Sequence, residues 1–288
     1  MKNDIYQSVT DEVIRQIEQG APPWAKPWAG GASMAMPRRA TGEFYKGINV
    51  LLLWSSASRN GYAGDQWFTY KQAQAVGGQV RKGEKATTVV YAGAIEKDDG
   101  DKLNKVFFMR GYAVFNRDQI DGFCPLPVAA PVTPGEYGEI NLASETYFQN
   151  TGAIIRHGGN RAFYNRAGDF IMLPDAGQFT EAAHYTATKA HEVVHWTSAE
   201  SRCNRELGKR FGDNAYAVEE LIAEMGAAFL CASLGIDCQP RIDHASYLAS
   251  WLKILKADKR AIFTAASAAQ KAVTFLDGLQ ETPLAIAS

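Results

Sequence analysis

The sequence predicts an α+β protein of two units, and three observations carry that expectation. Pro125, Pro127, Pro131 and Pro134 crowd the stretch 124–135, CPLPVAAPVTPG, and make up four of the eleven prolines in 288 residues. Proline fixes φ and removes a backbone donor, so this run fits an extended linker and not a helix or a central strand. Charge changes across the same point: residues 20–93 hold nine Lys/Arg against three Asp/Glu, whereas residues 128–288 hold fourteen against eighteen, on a chain of net charge −1. The apolar pattern changes too, from short alternating runs before the linker to long helical periods after it. The expected division is therefore 1–123, a linker 124–135, and 136–288.

Taken in order, Ile5, Val9, Val13 and Ile17 recur at helical spacing, and Gly20 is a C-terminal stop. A Pro/Trp loop follows. Asn49 is placed to cap a second apolar helix through Leu51, Leu52, Leu53 and Trp54. Trp67 to Tyr70 reads as a short strand, Val80 to Tyr91 as a strand pair around the turn 81–85, and Val106 to Phe115 as a further strand. After the linker come a helix near 141–151 and three short strands near Ile154–Arg156, Ala162–Tyr164 and Asp169–Leu173. Helices then dominate, near 180–199, 215–234, 243–257 and 258–276. The first twenty residues lack the apolar core of a secretory signal, and no run approaches the ~20 apolar residues of a membrane span. Four cysteines without CxxC spacing read as buried or free thiols. Together these predict a soluble cytoplasmic protein with no membrane partner.

The strongest chemical signal is His191-Glu192-Val193-Val194-His195 inside a helical stretch free of breakers. Residues four apart share a helix face, so both imidazoles can reach one metal ion. Glu192 beside the first of them can take a proton from the attacking water and return it to a leaving amine. The expected ion is Zn2+, with Mn2+ or another divalent metal as an alternative. A site of this kind needs a third protein ligand. The segment after the motif, WTSAESR, offers no histidine, and the next candidates are the carboxylates of Glu219-Glu220-Leu221-Ile222-Ala223-Glu224. This resembles the gluzincin arrangement, in which a second helix supplies a Glu ligand and an acidic residue four positions later contacts a ligand His. On that resemblance Glu220 is the third ligand and Glu224 orients an imidazole; Glu224 as the ligand is the alternative. Glu219 is expected to point away into solvent. His157, His184 and His244 read as surface or satisfied residues. Tyr164, Tyr185 and Tyr216 are candidates for stabilising an oxyanion, and the strand 169–173 for a sheet edge holding an extended peptide.

Residues 20–93 also hold ten aromatics, four of the six tryptophans among them. Flat rings stack on unpaired bases while Lys and Arg follow phosphates, and a duplex hides its base faces, so the mixture favours single-stranded DNA. The candidate contacts are Trp24, Lys26, Trp28, Arg38, Arg39, Tyr45, Lys46, Trp54, Trp67, Tyr70, Lys71, Arg81, Lys82 and Lys85. An aromatic core under a basic surface would leave the same composition.

Pro23-Trp24 with Lys26-Pro27-Trp28, Tyr45 to Asn49, Trp67 to Ala73 running into Gly77 to Glu84, Ala162–Tyr164 with Asp169–Pro174, His191 to Thr197, and Tyr216 to Leu221 form a series of blocks. In this order they resemble the ArdC antirestriction proteins of conjugative plasmids and related mobile elements. The resemblance implies an N-terminal single-stranded-DNA-binding domain, a C-terminal zincin-like metallopeptidase domain, and protection of incoming DNA from a recipient's restriction enzymes. The second half is also similar in layout to Spartan-type proteases, which degrade proteins on DNA with a different third ligand. Three functions remain open at this stage. One is a DNA-tethered protease acting on DNA-bound proteins or restriction enzymes. Another is a non-proteolytic DNA-binding protein whose metal site is structural or vestigial. The third is a free peptidase with an unrelated basic accessory domain.

Overall fold

The computed structural model describes residues 4–25, 35–98, 103–122, 142–205, 214–236 and 247–280. The proline-rich stretch 124–135, Lys26, Trp28 and His244 lie outside the described residues. The fold is α+β, as the sequence predicts. It separates into two compact units, one of residues 1–5 and 36–129 and the other of 6–35 and 130–288. This differs from the simple split at the linker, because the first helix belongs with the C-terminal half. Helix α1 (Ile5–Glu18) buries Val9, Val13 and Ile17 on one face. Its Thr10 hydroxyl donates to the Lys259 carbonyl at 2.7 Å, and Tyr6 meets Phe263 edge-on at 4.7 Å. Trp24 packs edge-on against Trp251 at 5.6 Å. An isolated amphipathic helix is marginal in water, so its apolar stripe decides where it docks.

The first unit carries a four-stranded sheet in the order β1-β2-β5-β4, from β1 (Arg38–Arg39), β2 (Gln66–Phe68), β4 (Thr87–Asp98) and β5 (Leu103–Asn116). Helix α2 (Ile48–Asn60) packs on β4. Asn49 is not its cap; Gly47 holds that position. The Asn49 amide instead donates to the Val90 carbonyl and accepts from the Val90 N–H, at 2.8 and 2.7 Å, closing the outer edge of β4. Thr69 and Gln72 form a capping box that ends the strand at Phe68 and starts α3 (Tyr70–Ala75). The turn 81–85 does not join a hairpin: β3 (Gln79–Val80) pairs with β6 (Ile120–Asp121), and β4 pairs with β5. Val80 and Ile120 are drawn into a small core with Phe68 and Ala73, and that burial outweighs the local turn signal.

The second unit begins with α4 (Leu142–Asn150) and a three-stranded sheet in the order β7-β9-β8, from β7 (Ile154–His157), β8 (Phe163–Asn165) and β9 (Phe170–Leu173). Segment 169–173 is thus the central strand and has no free edge; the outer strands are β7 and β8. Helices α5 (Ala182–Trp196), α6 (Asn214–Ser233), α7 (Leu248–Ala257) and α8 (Ala261–Asp277) complete it, and α6 packs against the other three. Among the described residues no helix is long and apolar enough to cross a membrane.

Helices α5 and α6 meet closely because α6 has Gly226 at the crossing. A Cβ there would lie 2.9 Å from both methyls of Val194, one residue before His195. Val194 is buried and β-branched, so it has no free rotamer to retreat into. Gly226→Ala would gain about 1 kcal/mol of helix propensity, but overpacking costs about 1–3 kcal/mol. The expected net result is a lower thermal midpoint, measured by circular dichroism.

Candidate metal centre

Helix α5 is buried along almost its whole C-terminal half, so His191, Glu192 and His195 sit inside the protein. Lys189, one turn earlier, is buried and held by both oxygens of Glu145 at 2.6 and 2.7 Å, which ties α5 to α4. Helix α6 is buried from Glu219 to Cys231, which leaves its carboxylates little contact with bulk water.

The Nε2 atoms of His191 and His195 lie 3.0 Å apart. Glu220 brings one oxygen to 3.4 Å from the first and the other to 3.5 Å from the second. A tetrahedral ion with arms of about 2.0–2.2 Å spaces its ligand atoms about 3.3–3.6 Å apart. The three residues therefore fit a divalent ion with little movement, and they form the one group with metal-binding geometry among the described residues.

The surrounding charges point the same way. Glu192, Glu219, Glu220 and Glu224 are all buried here, and the Arg205 guanidinium pairs with Glu219. Burial alone would lower the pKa of His195, but hydrogen bonds that it donates to Glu219 and Glu220 and the fields of Glu220 and Glu192 push it up to about 10. Burial would raise Glu220, yet the two imidazoles hold it below the usual carboxylate range. The centre thus demands positive charge. A metal ion must displace the imidazole proton to bind, so loading releases protons.

Each imidazole has a carboxylate behind it. Oε1 of Glu219 is 3.2 Å from Nδ1 of His195, and Oε1 of Glu224 is 3.5 Å from Nδ1 of His191. The second approach is long, and Nδ1 of His191 makes no hydrogen bond. A carboxylate on Nδ1 keeps the proton there and turns the Nε2 lone pair inward. Glu219 is therefore not solvated. Arg205 grips it twice, from Nε at 3.0 Å and Nη2 at 2.8 Å, and holds its pKa down together with His195 against the effect of burial. Arg205 also donates to the Val194 carbonyl and the Thr197 hydroxyl, at 2.8 and 2.9 Å, fastening the end of α5. Sequence reasoning missed Arg205. The available signal for Glu219 was α6 itself, which has no polar face to carry it.

Of the three tyrosines, Tyr164 is engaged by Asp169 and Arg202, and Tyr185 by His157 at 2.9 Å. His157 is thereby a satisfied residue, and His184 faces the Thr180 hydroxyl. Tyr216, one turn before Glu220, has its pKa raised by burial first, then by Tyr247 and Glu220. Its hydroxyl stays protonated beside the metal ligands.

Comparison with known proteins agrees with both halves. Residues 3–115 match the model of the N-terminal domain of anti-restriction factor ArdC, and residues 143–268 match a zincin-like metallopeptidase model. The metal-free crystal structure of the antirestriction ArdC protein from plasmid R388 superposes with a TM-score of 0.83 at 46% identity, over 96% of this chain and 97% of that one. The chain belongs to the ArdC antirestriction family. The Mn(II)-bound structure of the R388 protein matches with a TM-score of 0.80 over 96% and 98% of the two chains. An uncharacterised protein, y4eC of Sinorhizobium fredii (strain NBRC 101917 / NGR234), is 40% identical over 96% of this chain and 92% of its own length. The DNA primase TraC of Escherichia coli is 39% identical over 96% of this chain, which spans only 27% of TraC.

In this ArdC-family chain the candidate DNA contacts divide by burial. Trp24, Tyr45, Trp54 and Trp67 are packed in the cores and offer no open ring face. Their composition signal came from packing. Arg38 is half-buried and paired with Asp65 at 3.1 Å, while Arg81 is held by Glu84 and Asp121. Arg39, Lys46, Tyr70, Lys71, Lys82 and Lys85 are exposed on the first unit.

Proposed function

We propose that this ArdC-family protein protects incoming plasmid DNA from restriction, with its first unit holding single-stranded DNA and its second acting as a divalent-metal-dependent peptidase. The observation that carries the enzymatic part is the convergence of His191, His195 and Glu220 beside a fourth buried carboxylate, Glu192, that the ligand set does not need. When bound, a Zn2+ or Mn2+ ion would supply Lewis acidity toward water and the scissile carbonyl. Glu192 takes a proton from the attacking water as the new C–O bond forms. It then delivers that proton to the amine as the C–N bond breaks. The Tyr216 hydroxyl donates to the carbonyl oxygen as negative charge builds there. Glu219 keeps the His195 imidazole aimed inward, and Glu224 stands 3.5 Å behind that of His191.

Single-stranded DNA, held by the exposed basic residues of the first unit, would raise the effective concentration of proteins on the same strand, restriction enzymes included. The test presents the metal-loaded full chain with a protein bound to a single-stranded oligonucleotide, and with the same protein free. Cleavage that needs both metal and DNA is expected. Cleavage indifferent to DNA would mean a free peptidase. DNA and metal binding without cleavage would leave a shielding protein whose metal is structural.

A further inference from the structure

Strands β4 and β5 form a long antiparallel hairpin in which Tyr91 faces Arg110, Gly93 faces Phe108 and Val89 faces Tyr112. Directly opposed residues share a face, so Tyr91, Phe108, Arg110 and Tyr112 lie on one side of the ribbon. At the inner end that side is closed. Val89 and Val114 are buried, and Thr87 is bonded to Ser56 of α2 at 2.6 Å. Beyond Val89 the side opens: Tyr91 is 55% exposed and Tyr112 45%. Their centroids are 6.4 Å apart, and Phe108 lies 6.1 Å from Tyr91. The Arg110 guanidinium sits 5.1 Å from the Phe108 ring and makes no ion pair among the described residues.

Cross-strand aromatic pairs can serve only to hold a ribbon together. Three features go beyond that. Gly93 leaves room that a side chain would fill, since a Cβ there would meet the Phe108 ring at 2.7 Å and the Tyr91 ring at 3.1 Å. The missing side chain lets Phe108 lie across the strand, so that the rings form one aromatic cluster, Phe108 tilted 48° from Tyr91 and Tyr112 edge-on to it. The cluster carries a cation without an acidic partner among the described residues. Its period also selects the ligand: same-face positions on a strand repeat at about 6.6–6.8 Å. Bases in a duplex are stacked every 3.4 Å and hide their faces. Only an unpaired strand can spread its bases to one per ring, as sheet-bound single strands do.

We infer that the open face of the β4–β5 hairpin, with Tyr91, Phe108 and Tyr112 as stacking rings and Arg110 as a phosphate contact, is a surface on which single-stranded DNA lies. The inference rests on the reading that the first unit binds single strands, and it names residues outside the contacts expected from composition.

The experiment is anisotropy of the full chain with a labelled oligothymidylate, and with its oligodeoxyadenylate duplex, across a salt series. The intact protein is expected to prefer the single strand. Tyr91→Ala and Tyr112→Ala should each weaken it by about ten-fold, with Tyr91→Phe close to wild type because the ring is kept. Arg110→Ala should flatten the log–log salt slope by about 0.7. Tyr112→Val keeps β propensity, and its thermal midpoint checks that lost affinity is not lost folding. Unchanged binding by the Tyr91→Ala/Tyr112→Ala double variant would overturn this surface while leaving single-strand binding intact. Failure of the wild type to bind at low salt would overturn the single-strand reading, and this surface with it.

Discussion

Glu192→Gln is expected to lower peptide hydrolysis by about 10²–10⁴-fold while the metal still binds. The substitution keeps size and hydrogen-bonding shape at a buried position on α5, so folding has little reason to change. It removes one of the four buried carboxylates that make the centre demand a cation. Losses from outer-shell changes run to about 10–100-fold in metal affinity, so hydrolysis should be assayed at saturating metal. Titration calorimetry reports whether the ion still binds, and cleavage of a DNA-bound protein reports the chemistry. If the variant cleaves at the wild-type rate, Glu192 is not the proton carrier and the proposed mechanism fails. If metal binding vanishes as well, Glu192 belongs to the ligand set and the assignment of Glu220 must be revised.

The candidate ligand set was legible because it is local. His191, Glu192 and His195 lie within five residues of one helix, and helical period alone puts the two imidazoles on one side. Glu220 was legible through its neighbours, since α6 offers hardly any face but a buried one. The same argument applied to Glu219, whose carboxylate is as buried as those around it. What could not be read was its partner. Arg205 sits fourteen residues away in irregular chain, and nothing local marks it as the group that neutralises Glu219.

The strands show the same limit. The β4–β5 hairpin was half visible from the alternation of Val106 to Phe115, but β3 pairs with β6 across forty residues, decided by the burial of Val80 and Ile120. Aromatic composition in residues 20–93 was ambiguous for a physical reason: a ring that packs and a ring that stacks on a base are the same ring. Trp24, Tyr45, Trp54 and Trp67 turned out to pack, whereas the exposed pair Tyr91 and Tyr112 owes its place to strand register with Phe108 and Gly93. Docking of α1 on the C-terminal half follows from which unit offers its apolar stripe a partner, a property of the surface it meets and not of the helix.

Arg205→Ala is expected to destabilise the protein by about 3–5 kcal/mol, because it removes one of the two cations that hold the buried Glu219 and leaves only His195 beside it. Glu219 is deeply buried and the Arg205 side chain is 10% exposed, so solvent screening softens the loss only in part. The arginine also fastens the Val194 carbonyl and Thr197 at the end of α5, so the same change loosens the helix that carries both histidine ligands. Two readouts separate these effects. The denaturation midpoint of the metal-free protein reports stability, and metal affinity reports how well His195 is held, with a loss of about 10–100-fold expected from its disturbed partner. The double variant Arg205→Met/Glu219→Gln removes both charges at similar volume, and replacing a buried pair this way is often neutral or better. It should recover most of the stability. Its metal affinity should remain low if Glu219 acts by keeping the proton on Nδ1 of His195, since a neutral amide holds that proton less firmly than a carboxylate. Recovery of both together would mean that Glu219 and Arg205 only pack the two helices, and that His195 needs no partner to present its nitrogen to the metal.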